Sequence, residues 1–165
     1  MELLAASTLV DDDFPLRNFY LCSADSVDSL SDEIRSSSPN FGLFLALEAG
    51  SFKDEDILQG AKKLIAHGMA CLCAWGPDCE RIHDLFDVAA RETNDLLTGE
   101  DVIMTTWHSG ESLEQALWFF VHTAFVTRKF EKTCADWMVA PIANTGWRQL
   151  IKSKFAEIIK VKEDD

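Results

Sequence analysis

Apolar runs of strand length alternate with stretches of helical period along this chain, and that alternation restricts its fold more than any other feature. Residues 18–23 (NFYLCS) read as a first strand. In the SADSVDSLSDEIRSSS that follows, Ser and Asp offer an N-cap and Val27, Leu30 and Ile34 keep helical spacing until the serines and Pro39. Residues 41–48 (FGLFLALE) are almost continuously apolar, as expected of a strand covered on both faces and therefore central. The spacing predicts a helix over about 53–67, with Asp54, Glu55 and Asp56 in its first turn, Ile57, Leu58, Ala61, Leu64 and Ile65 inward, and Gly68 as its stop.

Residues 69–75 (MACLCAW) form a third strand, after which Gly76 turns the chain, Pro77 suits a first helical position, and Ile82, Leu85, Phe86 and Ala89 make a buried stripe. A fourth strand over 102–107 (VIMTTW) leads through His108, Ser109, Gly110 and Glu111 into a helix over 112–126 (SLEQALWFFVHTAFV), where Ser112 and Gln115 fit a capping box. That helix is apolar around most of its circumference, so it is either enclosed by the domain or forms a homodimer contact. Residues 136–142 (DWMVAPI) read as a last strand, placed at an edge because Pro141 cannot donate to a ladder, and Asn144, Thr145 and Gly146 open a closing helix. Residues 1–14 and 161–165 are expected to fray. The expectation is one α/β domain over 1–165, a three-layer, mostly parallel sheet of four or five strands with flanking helices, Rossmann-like or flavodoxin-like.

Fifteen basic against 28 acidic residues give a net charge of −13, which argues against nucleic acid or anionic lipid as partner. No apolar run reaches the roughly 18 residues of a membrane span. The acidic start MELLAASTLVDDD lacks the positive region of a secretory signal, so a cytoplasmic location is expected. Charge is uneven: the segment from 128 onward has 8 bases and 6 acids, as expected of a basic final helix lying against an acidic body. Five cysteines, Cys22, Cys71, Cys73, Cys79 and Cys134, follow no framework spacing and read as free thiols, with Cys22, Cys71 and Cys73 in the core.

In a parallel sheet the site lies at the carboxyl ends of the strands, here Glu48, then Trp75, Gly76, Asp78 and Cys79, then Trp107, His108 and Glu111. Neither a dinucleotide fingerprint nor a P-loop occurs, and Asp78 and Glu111 occupy the helix starts where a phosphate would dock, so no cofactor is expected. Cys79 with His108, supported by Glu48 or Glu111, would make a constellation for acyl transfer or hydrolysis. Asp78 and Glu80 flank that sulfur and oppose a thiolate. Cys79 and His83, one turn apart, could join Cys73 or His108 around zinc, but the spacing is irregular and no metal site is expected. Glu80, His83, Asp84 and Asp87 lie away from the apolar stripe, as a solvated face or as an acidic recognition surface flanked by Trp75 and Trp107. His122 among aromatics reads as a hydrogen-bonded core or interface histidine, and Trp137 and Trp147 as structural.

The segments AWGPDCERIHDLFD (74–87) and TTWHSGESLEQALWFF (105–120) resemble a family of small, uncharacterised, acidic bacterial proteins. The resemblance implies a bacterial, cytoplasmic protein and marks these two loops as distinguishing segments, and it brings no established activity. The function expected is an acidic protein-binding module with a basic partner, of an immunity or defence-associated type. Its binding residues would be Trp75, Asp78, Glu80, His83, Asp84, Trp107, His108 and Glu111. The alternative is the small cysteine-dependent enzyme using Cys79 and His108.

Overall fold

In a computed structural model, which describes residues 1–8, 15–93 and 101–160, six strands form one mixed sheet. They are β1 (Glu2–Thr8), β2 (Arg17–Leu21), β3 (Phe41–Ala46), β4 (Met69–Trp75), β5 (Met104–Trp107) and β6 (Asp136–Pro141), in spatial order β1-β2-β6-β3-β4-β5. β1 pairs antiparallel with β2 and every other pairing is parallel. Helices α1 (Val27–Glu33), α2 (Asp54–Ala66), α3 (Cys79–Glu92) and α4 (Leu113–His122) connect the parallel strands, and α5 (Thr145–Lys160) follows the last. The fold is α/β, as the alternation predicts. Its six strands exceed the four or five expected, and their order is neither of the doubly wound orders 3-2-1-4-5-6 and 2-1-3-4-5.

Because side chains alternate across a strand, the sheet divides the core in two. Phe41, Leu43 and Leu45 of β3 and Leu72 and Ala74 of β4 pack with Leu30, Leu64, Ile82 and Phe86 from α1, α2 and α3. Phe44, Cys71, Cys73 and Val139 pack with Leu117, Phe120, Ile151 and Phe155 from α4 and α5. All five cysteines are free and buried. Trp137 fits against the sheet because position 42 is glycine: a Cβ there would lie 2.3 Å from its ring.

Three expectations need correction. Residues 2–8 are not frayed, since they pair along β2, and Glu2 of β1 takes Arg148 at 3.1 Å and Lys152 at 2.8 Å from α5. The basic closing helix thus neutralises the first strand, as the charge pattern anticipates; residues 9–14 and 161–165 lie outside the described residues. β6 is not an edge strand but sits between β2 and β3 with every residue buried. Pro141 is tolerated because it is the last residue of the strand, and the ladder resumes with Ile142 N donating to Ala46 O at 2.9 Å. The helix predicted over 112–126 starts at its Ser112 capping box but ends at His122. There the buried guanidinium of Arg17 donates to Val121 O at 3.4 Å and to Ala124 O at 2.9 Å, and it lies 3.8 Å over the Trp137 ring. A cation at a helix C-terminus satisfies carbonyls that have no intrahelical partner.

Candidate functional site

β4 and β5 are adjacent and parallel, with Ala74 beside Trp107, so the two tryptophan-bearing segments leave the sheet at one rim. His108 N donates to Ala74 O at 3.0 Å and continues the ladder one residue past β5. Gly76 makes the turn at the end of β4 with φ 122°, and a Cβ there would stand 2.3 Å from Leu47 O. Only glycine suits both demands. Asp78 follows in the left-handed region, precedes α3, and has its carboxylate 3.9 Å from Arg81.

Parity along β5 then separates the rim into two shelves. Thr105 and Trp107 face α3: the Thr105 hydroxyl donates to Asp87 at 2.8 Å, and the Trp107 ring lies 4.5 Å from that of His83. His83 is in turn 3.0 Å from Asp84 through Nδ1 and 3.5 Å from Asp87 through Nε2. Trp107 remains 44% exposed. Thr106 and His108 face α4, where the His108 ring lies tilted against Phe119 with centroids 4.6 Å apart. An open groove of about 360 Å³ runs along the edge of β5, lined by Thr105 and Trp107 from one face and by Thr106, His108, Glu111 and Phe119 from the other.

His108 is buried, with Nδ1 3.1 Å from the Glu111 carboxylate and Nε2 3.1 Å from Thr106 Oγ1. Nδ1 donates to the Glu111 carboxylate, and Nε2 faces the Thr106 hydroxyl, which also lies 3.3 Å from Leu72 O. Burial opposes a charge on the ring, but hydrogen bonds to Cys73 and Glu111 outweigh it and raise the His108 pKa above its ordinary value. Burial likewise pushes the Cys73 thiol up, yet hydrogen bonds with Cys71, His108 and Thr106 hold it below its ordinary value.

The imidazole therefore meets Cys73. Cys79 belongs to the opposite core with α3; burial raises its thiol, and its contact with His108 is to the backbone N–H. Glu48 stands exposed past the end of β3, ahead of the short 3₁₀ turn Ala49–Ser51. Cys79 and Cys73 lie on opposite faces of the sheet, and among the described residues no group of three His, Cys, Asp or Glu side chains is arranged to hold a metal. Of the predicted binding residues, His83, Asp84 and Trp107 form one shelf with Asp87, and exposed Glu80 lies earlier on α3. Trp75 joins His108 and Glu111 by donating from Nε1 to Glu111 O at 2.8 Å, with Trp147 packed 5.1 Å away.

Cys73 is the residue that sequence reasoning missed in this role. Its signal was parity: Cys71 and Cys73 share one face of β4, and Thr106 and His108 share that same face of β5. His122 matches its reading, with Nε2 donating to Ile158 O at 2.7 Å.

A family model described as Domain of unknown function (DUF7684) matches residues 19–158, so the chain belongs to that family. A search of curated proteins returns no match.

Proposed function

We propose that this member of the DUF7684 family is a protein-binding module whose rim at the exits of β4 and β5 recognises a basic partner. The observation that carries the reading is Trp107, a large aromatic left 44% exposed on the last described strand of the sheet, its ring 4.5 Å from that of His83, which in turn meets the carboxylates of Asp84 and Asp87. Partly exposed tryptophan is a favoured anchor of binding energy, and like-signed carboxylates around it select the partner by charge. The net charge of −13 would speed encounter with a cationic protein over long range. A bacterial cytoplasmic origin fits the two tryptophan segments, and an immunity-type role fits the size and charge by analogy. Affinity capture from the native host tests the reading with wild type beside Trp107→Ala and Asp84→Asn/Asp87→Asn. A partner retained by wild type, released by salt and lost from both variants supports it. Equal capture by all three chains overturns it.

A second reading rests on the Cys73, His108, Glu111 relay, because a thiol lowered by hydrogen bonds from its neighbours and placed beside a histidine held by a carboxylate suits thiol chemistry. Against it, Cys73 is 0% exposed and does not line the groove. Labelling of the folded protein with iodoacetamide near neutral pH decides: Cys73 modified far ahead of the other four cysteines supports an enzyme, and uniformly slow labelling removes it.

A further inference from the structure

The open flank of β5 adds detail to the acidic-rim reading on which it rests. Among the described residues β5 is the last strand of the sheet and pairs with β4 alone, in unbroken register. Because His108 N donates to Ala74 O and the ladder alternates, the backbone groups of Thr106 face β4 while those of Thr105 and Trp107 face outward. Edge strands are commonly guarded by lysine, proline or a bulge; β5, with the sequence MTTW, carries none of these. Its two flanks are instead built as shelves, with Trp107, His83, Asp84 and Asp87 on the α3 side and the groove beside His108, Glu111 and Phe119 on the α4 side. Lys129, paired with Asp101, and Arg91, in the last turn of α3, lie toward the other end of the strand, while Arg81 in the first turn of α3 is held by Asp54. The strand's exit is therefore the acidic end.

We propose that β5 is a docking edge for an extended basic segment of a partner protein, which adds a strand to the sheet through the backbone of Thr105 and Trp107. In this geometry alternate side chains of the incoming strand fall on opposite shelves. A lysine or arginine on the α3 side meets the Trp107 face and the carboxylates of Asp84 and Asp87, a cation–π contact reinforced by charge. Neighbouring apolar side chains enter the groove over Phe119.

The probe is a capped nine-residue peptide alternating lysine and valine, compared with its glutamate and valine counterpart, with amide hydrogen exchange read by NMR. Slowed exchange at Thr105 and Trp107 on adding the lysine peptide, and none with the glutamate peptide, is the expected result. Thr105→Pro removes an outward donor that has no ladder partner among the described residues, and with it the hydroxyl bond to Asp87; it should weaken binding tenfold or more, whereas Thr105→Val, which loses the hydroxyl but keeps the N–H, should bind nearly as wild type, and should the proline variant fail to fold, Trp107→Ala serves with the same expected loss. Strand addition is overturned if exchange at Thr105 and Trp107 does not slow, or if Thr105→Pro binds as wild type. In either case binding still lost in Asp84→Asn/Asp87→Asn leaves the acidic-rim reading standing. Binding indifferent to Asp84, Asp87 and Trp107 removes both.

Discussion

The two edges of this sheet are built on opposite principles. β1 is antiparallel to its neighbour, its register slips twice along β2, and its Glu2 is held by Arg148 and Lys152 of α5. Irregular pairing and a basic helix end close that side to further strands. β5 is parallel, regular and free of cations along its own length, and its exit carries an exposed tryptophan beside a histidine held by two carboxylates. The contrast teaches that the acids at the two edges have different neighbours: at β1 Glu2 is paired with two basic side chains of α5, while beside β5 Asp84 and Asp87 face a histidine and a threonine hydroxyl.

The largest break in that comparison comes at Gly76. Gly76→Ala forces a Cβ onto Leu47 O at a φ of 122° and should cost about 3 kcal/mol in urea unfolding while loosening the open rim. Asp136 is the counterpart on the other half of the sheet. Its carboxylate accepts from Ser37 N at 2.7 Å, Ser37 Oγ at 2.9 Å, Ser36 Oγ at 3.1 Å and Asn18 Nδ2 at 3.0 Å, joining β2 and β6 to the loop before β3. Asp136→Ala should cost about 2 kcal/mol by stranding those donors. Burial alone would raise the Asp136 pKa, but these hydrogen bonds lower it, so its stabilisation is present above the ordinary carboxylate pKa and is lost as pH falls through the depressed folded value. Unfolding curves across acid pH should show that loss in wild type and not in the variant.

At His108 the sign reverses. Its folded pKa is raised, so its contribution is full below about pH 6.5, the unfolded value, and fades as pH rises through the folded one. His108→Gln should cost about 1 kcal/mol in mild acid and progressively less in alkali, read as a convergence of the two melting curves. Trp107→Ala should change stability by less than about 1 kcal/mol, since the ring is partly exposed, while abolishing capture of a basic partner. Smallest of all is Glu2→Gln at the closed edge, an exposed charge whose loss should shift the melting curve slightly, and less still in high salt.

Local pattern carried most of the fold into view. The apolar run of β3, the acidic first turn of α2 and the Ser112 capping box are set by neighbours in sequence, and each lies where that logic puts it. What escaped depends on distant partners. β1 is a strand because β2 is there to pair with it, α4 ends where Arg17 reaches Val121 and Ala124 from 104 and 107 residues away, and Pro141 is central because its strand stops beside it. The rim itself was legible, since consecutive parallel strands deliver Trp75 and Trp107 to one end. The partner of His108 follows from strand parity, which points to Cys73 and away from Cys79, rather than from nearness in the chain order of loops.

Chemical-shift mapping of the labelled chain during titration with the alternating lysine peptide tests the central contrast in one experiment, because both edges report at once. Shifts concentrated at Thr105, Trp107 and its indole N–H, and Phe119, with residues 2–6 silent, are what an open acidic edge opposite a closed one requires. Shifts centred on β1, or spread evenly over every acidic side chain, would contradict it.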